Sequence, residues 1–185
     1  VALSNGDGTF TGATVPGTAG APVGIALGDV DSDGDLDLYL SQTASNISPV
    51  QIAEGTQVGD ANVLVVQTAP GVFEVAADAL PDDGANRGVT FESVFLDADG
   101  DGDLDIYECN AHALHLEANR LLLNDGSGRF STADAPEWEI PMNCMGIATG
   151  DADADGDLDL YLTNLGSPLM LLSDGAGGRY EGARA

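Results

Sequence analysis

The sequence contains no lysine, and its five arginines stand against 31 acidic residues in a chain of 185. The formal net charge at pH 7 is −26. Proteins that bind nucleic acid need clustered lysine and arginine to pair with phosphates, so this composition argues against nucleic acid as a partner. An excess of aspartate without lysine is also typical of adaptation to high salt or of a biased genome composition, and the sequence does not separate these explanations.

Long hydrophobic runs are absent as well. No stretch of 18 apolar residues occurs, so we predict no transmembrane helix. A signal-peptide pattern is also missing, and the chain begins at Val1 rather than at methionine, so we expect a processed product or a fragment of an exported precursor. The predicted location is extracellular, periplasmic or at the cell surface, where millimolar calcium suits sites of modest affinity.

Aspartate is abundant because a nine-residue motif, D-x-D-x-D-G-D-L-D, occurs three times, at residues 29–37, 97–105 and 151–159. Five carboxylates in nine residues repel one another, and a hard divalent cation with six to eight oxygen ligands relieves that repulsion. We therefore predict about three calcium ions per chain, which would leave the formal charge at about −20. The predicted metal ligands are Asp29, Asp31, Asp33, Asp35, Asp37, Asp97, Asp99, Asp101, Asp103, Asp105, Asp151, Asp153, Asp155, Asp157 and Asp159.

Each position of the motif has an expected role. The first, third and fifth aspartates point inward from a curled loop, the seventh offers its backbone carbonyl, and the ninth closes the shell with its side chain. Gly34, Gly102 and Gly156 lie where the chain must turn sharply, a conformation that glycine adopts at little cost. Magnesium prefers a stricter octahedral site that keeps several waters, so a cage made of protein oxygens favours calcium.

The EF-hand is the nearest competing interpretation, because its loop begins with the same D-x-D-x-D-G pattern and ends with a glutamate at position twelve. Glu108 fits that position in the second copy, but Leu40 and Leu162 in the other copies cannot bind a metal. The residues after each loop alternate between apolar and polar, which predicts a strand rather than a helix. A merely solvated acidic turn would not explain three near-identical copies.

The full pattern Gly-Asp-x-Asp-x-Asp-Gly-Asp-Leu-Asp-Leu-Tyr-Leu, followed by a hairpin such as residues 123–130, resembles the FG-GAP/VCBS repeats. Those repeats build the propellers of integrin alpha chains and of many bacterial surface proteins. Residues 142–172 resemble the propeller of the cartilage acidic protein family. The resemblance implies a calcium-binding extracellular β-propeller module that serves protein–protein interaction, adhesion or structural assembly.

The predicted fold is all-β, with propeller blades of four antiparallel strands in one repeat domain that spans residues 1–185. A second repeated marker, a glycine-rich turn followed by an aromatic residue, supports this division, and Tyr39, Tyr107 and Tyr161 are expected to pack between blades. The predicted units are residues 1–14 (the end of a preceding blade), 23–78, 88–133 and 145–185.

About three and a half blades are thus predicted, fewer than most closed propellers contain. The chain is then part of a longer polypeptide, pairs with a second copy to give seven blades, or closes as a strained ring of four. We favour the first, with a protein partner completing the ring. The connections at residues 42–61, 79–87 and 133–142 are predicted to be surface loops that carry partner recognition.

The two cysteines, Cys109 and Cys144, end one predicted strand and begin another in the neighbouring blade. If the acidic loops share one rim, both cysteines lie at the opposite rim. A disulfide that joins two blades is therefore expected, with two buried free thiols as the alternative.

Each of three further residues has a structural interpretation and a functional one. His112 and His115 are either surface loop histidines or ligands of a transition metal or haem. Trp138 either packs over the edge of a blade or is exposed as an interface anchor or a platform for carbohydrate.

The sequence has no nucleophile elbow and no phosphate-binding loop, and we predict that the chain is not an enzyme. Two alternatives stay open. One is the propeller part of a calcium-dependent enzyme that acts on polysaccharide or lipid, and the other is an accessory subunit of a larger extracellular or membrane-associated complex.

Overall fold

Antiparallel β-sheets dominate the computed structural model, which describes residues 1–46, 48–54, 56, 58–82, 87–110, 118–173 and 180–184. A two-stranded sheet at the N-terminus, here called the N-terminal hairpin, contains β1 (Ala2–Ser4) and β2 (Phe10–Gly12). Three four-stranded sheets follow it, here called blades 1 to 3, and each pairs its strands in chain order. The all-β fold of propeller blades, three complete and one half-present, is confirmed.

The strands of the three blades have the following bounds. Blade 1 contains β3 (Pro22–Gly28), β4 (Asp37–Gln42), β5 (Val63–Ala69) and β6 (Val72–Val75). Blade 2 contains β7 (Thr90–Leu96), β8 (Asp105–Asn110), β9 (Arg120–Asn124) and β10 (Phe130–Thr132). Blade 3 contains β11 (Cys144–Gly150), β12 (Asp159–Asn164), β13 (Leu169–Ser173) and β14 (Tyr180–Arg184).

The connection at residues 42–61 was predicted to be a loop, and it contains a short helix, α1 (Pro49–Glu54). Ser48 precedes the helix, and its hydroxyl accepts a hydrogen bond from the backbone N–H of Gln51 at 3.4 Å. Pro49 then occupies the first helical position, where its missing N–H costs nothing. Among the described residues, no helix has the length and apolar composition that crossing a bilayer requires.

Blades 1 and 2 each present a tyrosine on one face to the aliphatic face of the next blade. Tyr39 of β4 and Tyr107 of β8 are both fully buried. The core around Tyr39 includes Ile106 and Leu122 of blade 2, and the core around Tyr107 includes leucines of blade 3. The predicted packing of these two tyrosines between blades is therefore confirmed.

The interface between blades 1 and 2 has a polar centre that the sequence motifs did not predict. Glu108 is only 1% exposed, and its carboxylate accepts hydrogen bonds from the Tyr39 hydroxyl and from the Asn62 amide, the latter at 3.0 Å. The buried Arg120 lies directly opposite Glu108 in the register of β8 and β9. Glu108 therefore binds across the blade interface and is not the twelfth ligand of an EF-hand loop.

The equivalent positions in the other blades are aliphatic, with Leu40 opposite Val63 in blade 1 and Leu162 opposite Leu169 in blade 3. Among the described blades, two charged residues therefore replace the apolar pair only in blade 2, at its interface with blade 1. A buried pair of this kind adds little net stability, but it penalises any arrangement that leaves one charge without its partner.

Cys109 and Cys144 form a disulfide between blades 2 and 3, with their Cα atoms 5.2 Å apart. Both residues are completely buried. The prediction of a disulfide that joins neighbouring blades is confirmed, and the alternative of two free thiols is wrong.

Trp138 lies beside this disulfide in the same buried cluster and is only 2% exposed. Its ring packs against Tyr107 with ring centres 5.4 Å apart, and its backbone carbonyl accepts a hydrogen bond from the Tyr107 hydroxyl at 3.1 Å. The hypothesis of an exposed anchor or carbohydrate platform at Trp138 is therefore wrong, because the ring fills the space between two blades.

We expect Glu108→Leu to lower the free energy of unfolding by about 3 kcal/mol, because the buried Tyr39 hydroxyl and Asn62 amide lose their acceptor and the buried Arg120 opposite loses a nearby negative charge. The double variant Glu108→Leu/Arg120→Val copies the Leu40–Val63 pair and should recover part of that loss. Urea unfolding of both variants measures the difference. A double variant no more stable than the single one would contradict the coupling of the two residues.

Replacing both cysteines by alanine should lower the free energy of unfolding by about 3–4 kcal/mol, because the disulfide closes a long loop in the unfolded chain. Because both sulfurs are buried, the native protein should also resist mild reductant that reduces the unfolded chain. Titration of free thiols in mild reductant, with and without urea, tests this resistance. Rapid labelling of Cys109 and Cys144 in the native protein would contradict it.

Candidate metal sites in the three acidic loops

Each acidic loop joins the first strand of a blade to the second, at residues 29–36, 97–104 and 151–158. The glycine at the sixth motif position has a φ angle of +94° in Gly34, +97° in Gly102 and +105° in Gly156. This backbone region favours glycine because it has no Cβ. The predicted sharp turn at these glycines is therefore confirmed, and the three loops curl in the same way.

The first aspartate of each loop folds over this turn and accepts hydrogen bonds from backbone N–H groups. The Asp29 carboxylate accepts from the N–H of Asp33 and of Gly34, both at 3.0 Å. Asp97 accepts from Gly102 at 3.1 Å, and Asp151 accepts from Gly156 at 3.2 Å. The first aspartate thus shapes the loop, and the remaining lone pairs of its oxygens stay available for a cation.

Carboxylate oxygens from three aspartates lie within 4.8 Å of one another in every loop. The three groups are Asp29, Asp31 and Asp33; Asp97, Asp99 and Asp101; and Asp151, Asp153 and Asp159. The first two groups consist of the first, third and fifth motif positions, and the third takes the ninth position in place of the fifth. The structure therefore brings together the side chains of three of the five predicted ligand residues in each loop, while the binding of a metal stays a prediction.

One oxygen in the first loop supports a cation in particular. Asp31 Oδ1 is buried and has no hydrogen-bond partner among the described residues. A buried carboxylate oxygen without a partner is costly, and a cation held by oxygen ligands would satisfy it. The donor set of each loop, which offers carboxylate and backbone oxygens and no sulfur or imidazole, fits calcium rather than a softer metal.

The seventh residue of each loop approaches the site through its backbone. The N–H of Asp35 donates to the Asp33 carboxylate at 2.9 Å, and the N–H of Asp103 donates to Asp101 at 3.0 Å. Asp157 repeats the contact with Asp155 at 3.1 Å. The seventh side chains are not members of the three groups, so their predicted role through the backbone carbonyl stays open.

The ninth aspartate has a structural role that its position in the motif did not reveal. Asp37, Asp105 and Asp159 are at most 2% exposed. One oxygen of each carboxylate accepts from the N–H of the second loop residue, at distances between 2.6 and 3.1 Å. The other accepts from a backbone N–H of the third strand, in Gln67, Asn124 or Ser173, at 2.8 to 2.9 Å. The ninth aspartate thus joins the acidic loop to the second half of its own blade.

Burial raises the pKa of two of these carboxyl groups, those of Asp37 and Asp105. The pKa of Asp105 rises to about 6, mainly because burial disfavours the charged form, although its two backbone N–H partners oppose the shift. The pKa of Asp37 is raised for the same reason. Burial and then the neighbouring Asp101 raise the pKa of Asp99. The loops therefore carry charge that the protein alone does not fully stabilise.

Neighbouring blades also meet at these loops. The side-chain amide of Asn124, the last residue of β9, donates to the backbone carbonyl of Val30 at 2.8 Å and to that of Leu104 at 3.2 Å. Val30 belongs to the loop of blade 1, and Leu104 belongs to the loop of blade 2. One asparagine therefore links two acidic loops, a contact that only the folded structure reveals.

The histidines His112 and His115, proposed as alternative metal ligands, lie outside the described residues. Their prediction as surface residues therefore stays untested.

Comparison with protein families matches the chain to the FG-GAP-like repeat, over residues 1–40 and 97–162. The matched residues amount to more than half of the chain and include all three acidic loops. No curated protein matches the chain.

In the metal-free protein, we expect thermal stability to fall as the pH rises from about 4 to about 7. The folded pKa of Asp105, about 6, lies above the ordinary value of about 3.9, so the folded state keeps a proton that the unfolded chain has already lost. Melting temperatures in excess chelator across this range test the direction. A melting temperature that rises with pH in chelator would contradict this assignment.

Proposed function

Because the chain belongs to the FG-GAP-like repeat family, we propose that this propeller-like module for protein interaction is stabilised by calcium and acts outside the cytosol. The observation that carries the proposal is the threefold recurrence of one loop geometry with three clustered carboxylates, one of which has a buried oxygen without a partner. The closer resemblance of residues 142–172 to the cartilage acidic protein propeller is kept as part of this proposal.

Calcium would be held by the clustered aspartates of each loop, with the seventh residue contributing its carbonyl. When bound, it would supply positive charge and oxygen coordination, and no bond-breaking chemistry is assigned to it. The first aspartate holds the curled turn by accepting backbone N–H groups, as Asp29 does. The ninth aspartate connects the loop to the third strand by a hydrogen bond, as Asp105 does by accepting the backbone N–H of Asn124. Calcium would therefore make one rim of the module rigid.

The location outside the cytosol is supported by the disulfide between blades 2 and 3. Disulfides persist in oxidising compartments and are rare in reducing ones. The site chemistry also agrees, because clustered carboxylates of modest affinity are useful where calcium is abundant. We therefore propose an extracellular or secreted protein.

A calcium-dependent enzyme acting on polysaccharide or lipid has less support. Trp138 was its principal candidate for sugar stacking, and Trp138 is buried between blades. The accessory-subunit alternative is compatible with interaction through the incomplete N-terminal sheet and does not require a catalytic group.

We expect calcium to raise the melting temperature strongly relative to excess chelator. A site saturated at a hundred times its dissociation constant adds about 2.7 kcal/mol, which corresponds to roughly 5–10 °C for a chain of this size. Titration calorimetry of metal-free protein should give about three calcium ions per chain.

The variant Asp31→Asn should lower the number of bound calcium ions per chain from about three towards two. Asp134→Asn is the matched control, because Asp134 is exposed and lies outside the loops. It changes the charge equally and should leave binding intact. Equal calcium binding by both variants would remove Asp31 from the site, and no calcium binding by the unmodified protein would refute the proposal.

A further inference from the structure

The turn that joins β9 to β10, residues 125–129 and here called the linking turn, lies between the acidic loops of blades 1 and 2. The acidic loops of blades 1, 2 and 3 are here called loops 1, 2 and 3 and comprise residues 29–36, 97–104 and 151–158. A Cβ added at Gly128 would lie 3.5 Å from the Cβ of Asp31 in loop 1. One added at Gly126 would lie 2.5 Å from Asp103 Oδ2 in loop 2. The linking turn is therefore directly beside one predicted ligand residue of each loop.

Asn124, which precedes the linking turn, uses its whole side chain to hold this arrangement. Its Nδ2 group donates to the backbone carbonyls of Val30 in loop 1 and Leu104 in loop 2. Its Oδ1 atom accepts from the backbone N–H of Gly126 at 3.2 Å and of Gly128 at 3.1 Å. The side chain is only 6% exposed. Because both amide hydrogens and both oxygen lone pairs are engaged, the orientation of this side chain is fixed by the two loops together.

The two carbonyl groups that Asn124 holds belong to peptide units at the candidate sites. The Val30 carbonyl lies in the peptide bond to Asp31, and the Leu104 carbonyl lies in the peptide bond to Asp105. Fixing Asp31 in an ion-binding position therefore also fixes the Asn124 amide, and through it the peptide unit in loop 2. Ordering that accompanies occupation of the first site then need not be repeated at the second, which produces positive cooperativity.

Blade 3 has a different residue at the equivalent position. Ser173 donates its backbone N–H to Asp159 at 2.8 Å, as Asn124 donates its own to Asp105 at 2.9 Å. A serine hydroxyl carries a single hydrogen, so it cannot donate to two carbonyl groups at once. One serine therefore cannot make the pair of side-chain bonds that joins loop 1 to loop 2.

We propose that Asn124 is a positioning residue that makes loops 1 and 2 one cooperative calcium-binding unit, whereas loop 3 binds its ion independently. This inference rests on the proposed function, because it requires calcium in the loops, and it adds how the sites regulate one another. Two coupled sites fill over a narrower range of calcium concentration than two separate sites. The rim formed by blades 1 and 2 therefore responds steeply to calcium.

The test follows each loop separately by amide NMR spectroscopy of the isotope-labelled chain during a calcium titration of metal-free protein. The N–H groups of Gly34, Gly102 and Gly156 are equivalent probes, because each donates to the first aspartate of its own loop. The signals of Gly34 and Gly102 should change together over one range of calcium concentration. The signal of Gly156 should follow a separate curve.

Two ligand variants measure the coupling in both directions. Asp31→Asn, which disables loop 1, should weaken calcium binding at loop 2 by about fivefold or more and leave loop 3 unchanged. Asp99→Asn, the equivalent change in loop 2, should weaken loop 1 by the same factor, because coupling between two sites is reciprocal. Asp134→Asn is the matched control, since Asp134 is exposed and outside the loops, and it should alter neither affinity.

The role of Asn124 is tested by Asn124→Ser, which copies the residue of blade 3 and keeps the backbone N–H. In this background, Asp31→Asn should no longer change the calcium affinity of loop 2, although about three ions bind when only Asn124 is replaced. Asn5→Ser makes the same replacement at an exposed asparagine of the N-terminal hairpin and should leave the coupling intact.

Reciprocal weakening that Asn124→Ser abolishes supports the proposal. Independent filling of loops 1 and 2, mutual weakening of the two occupied loops, or coupling that survives Asn124→Ser overturns it even though calcium binds. The Asp31 and Asp99 variants retain Asn124, so absence of coupling between them overturns the proposal even if Asn124→Ser does not fold. No calcium-dependent change at any of the three glycines overturns the proposed function as well.

Discussion

The buried ninth aspartate of each acidic loop is the contact on which the blade depends. In all three blades it accepts one N–H from its own loop and another from the third strand. One carboxylate thus satisfies two backbone donors that otherwise lie in a dry environment, where an unpaired donor is costly. The two halves of a blade are therefore held together at the rim where the loops lie.

This arrangement is also a reason to propose a cation in each loop. Burial also raises the pKa of Asp37, and it raises the pKa of Asp105 to about 6, so the charged forms of these two carboxyl groups are poorly stabilised by the protein alone. Three aspartate carboxylates also lie within 4.8 Å of one another in each loop. A bound divalent cation would offset both penalties, and Asn124 would transmit the resulting order from the loop of blade 1 to that of blade 2.

Much of this architecture could be predicted from the sequence, because the signals are local and repeated. The alternation after each loop places β4, β8 and β12 within a residue or two. The disulfide between Cys109 and Cys144 follows from their positions at the same rim of neighbouring blades. Glu108 and Arg120 could not be placed, because a charged pair in a leucine position looks like a surface feature until the blades are stacked. The burial of Trp138 likewise depends on tertiary packing against Tyr107, although its flanking glutamates indicate exposure. Helix α1 was missed because six residues contain too little periodicity.

The most direct measurement of the central claim is a crystal structure of the chain grown with calcium, with anomalous scattering recorded at long wavelength. The account predicts three anomalous peaks, one inside each acidic loop, each surrounded by carboxylate and carbonyl oxygens at about 2.3–2.6 Å. Asp31 Oδ1 should be among the ligands of the first. Loops that keep the geometry described above and show no peak would contradict the account, and the repeated motif would then be a solvated turn held by backbone hydrogen bonds alone.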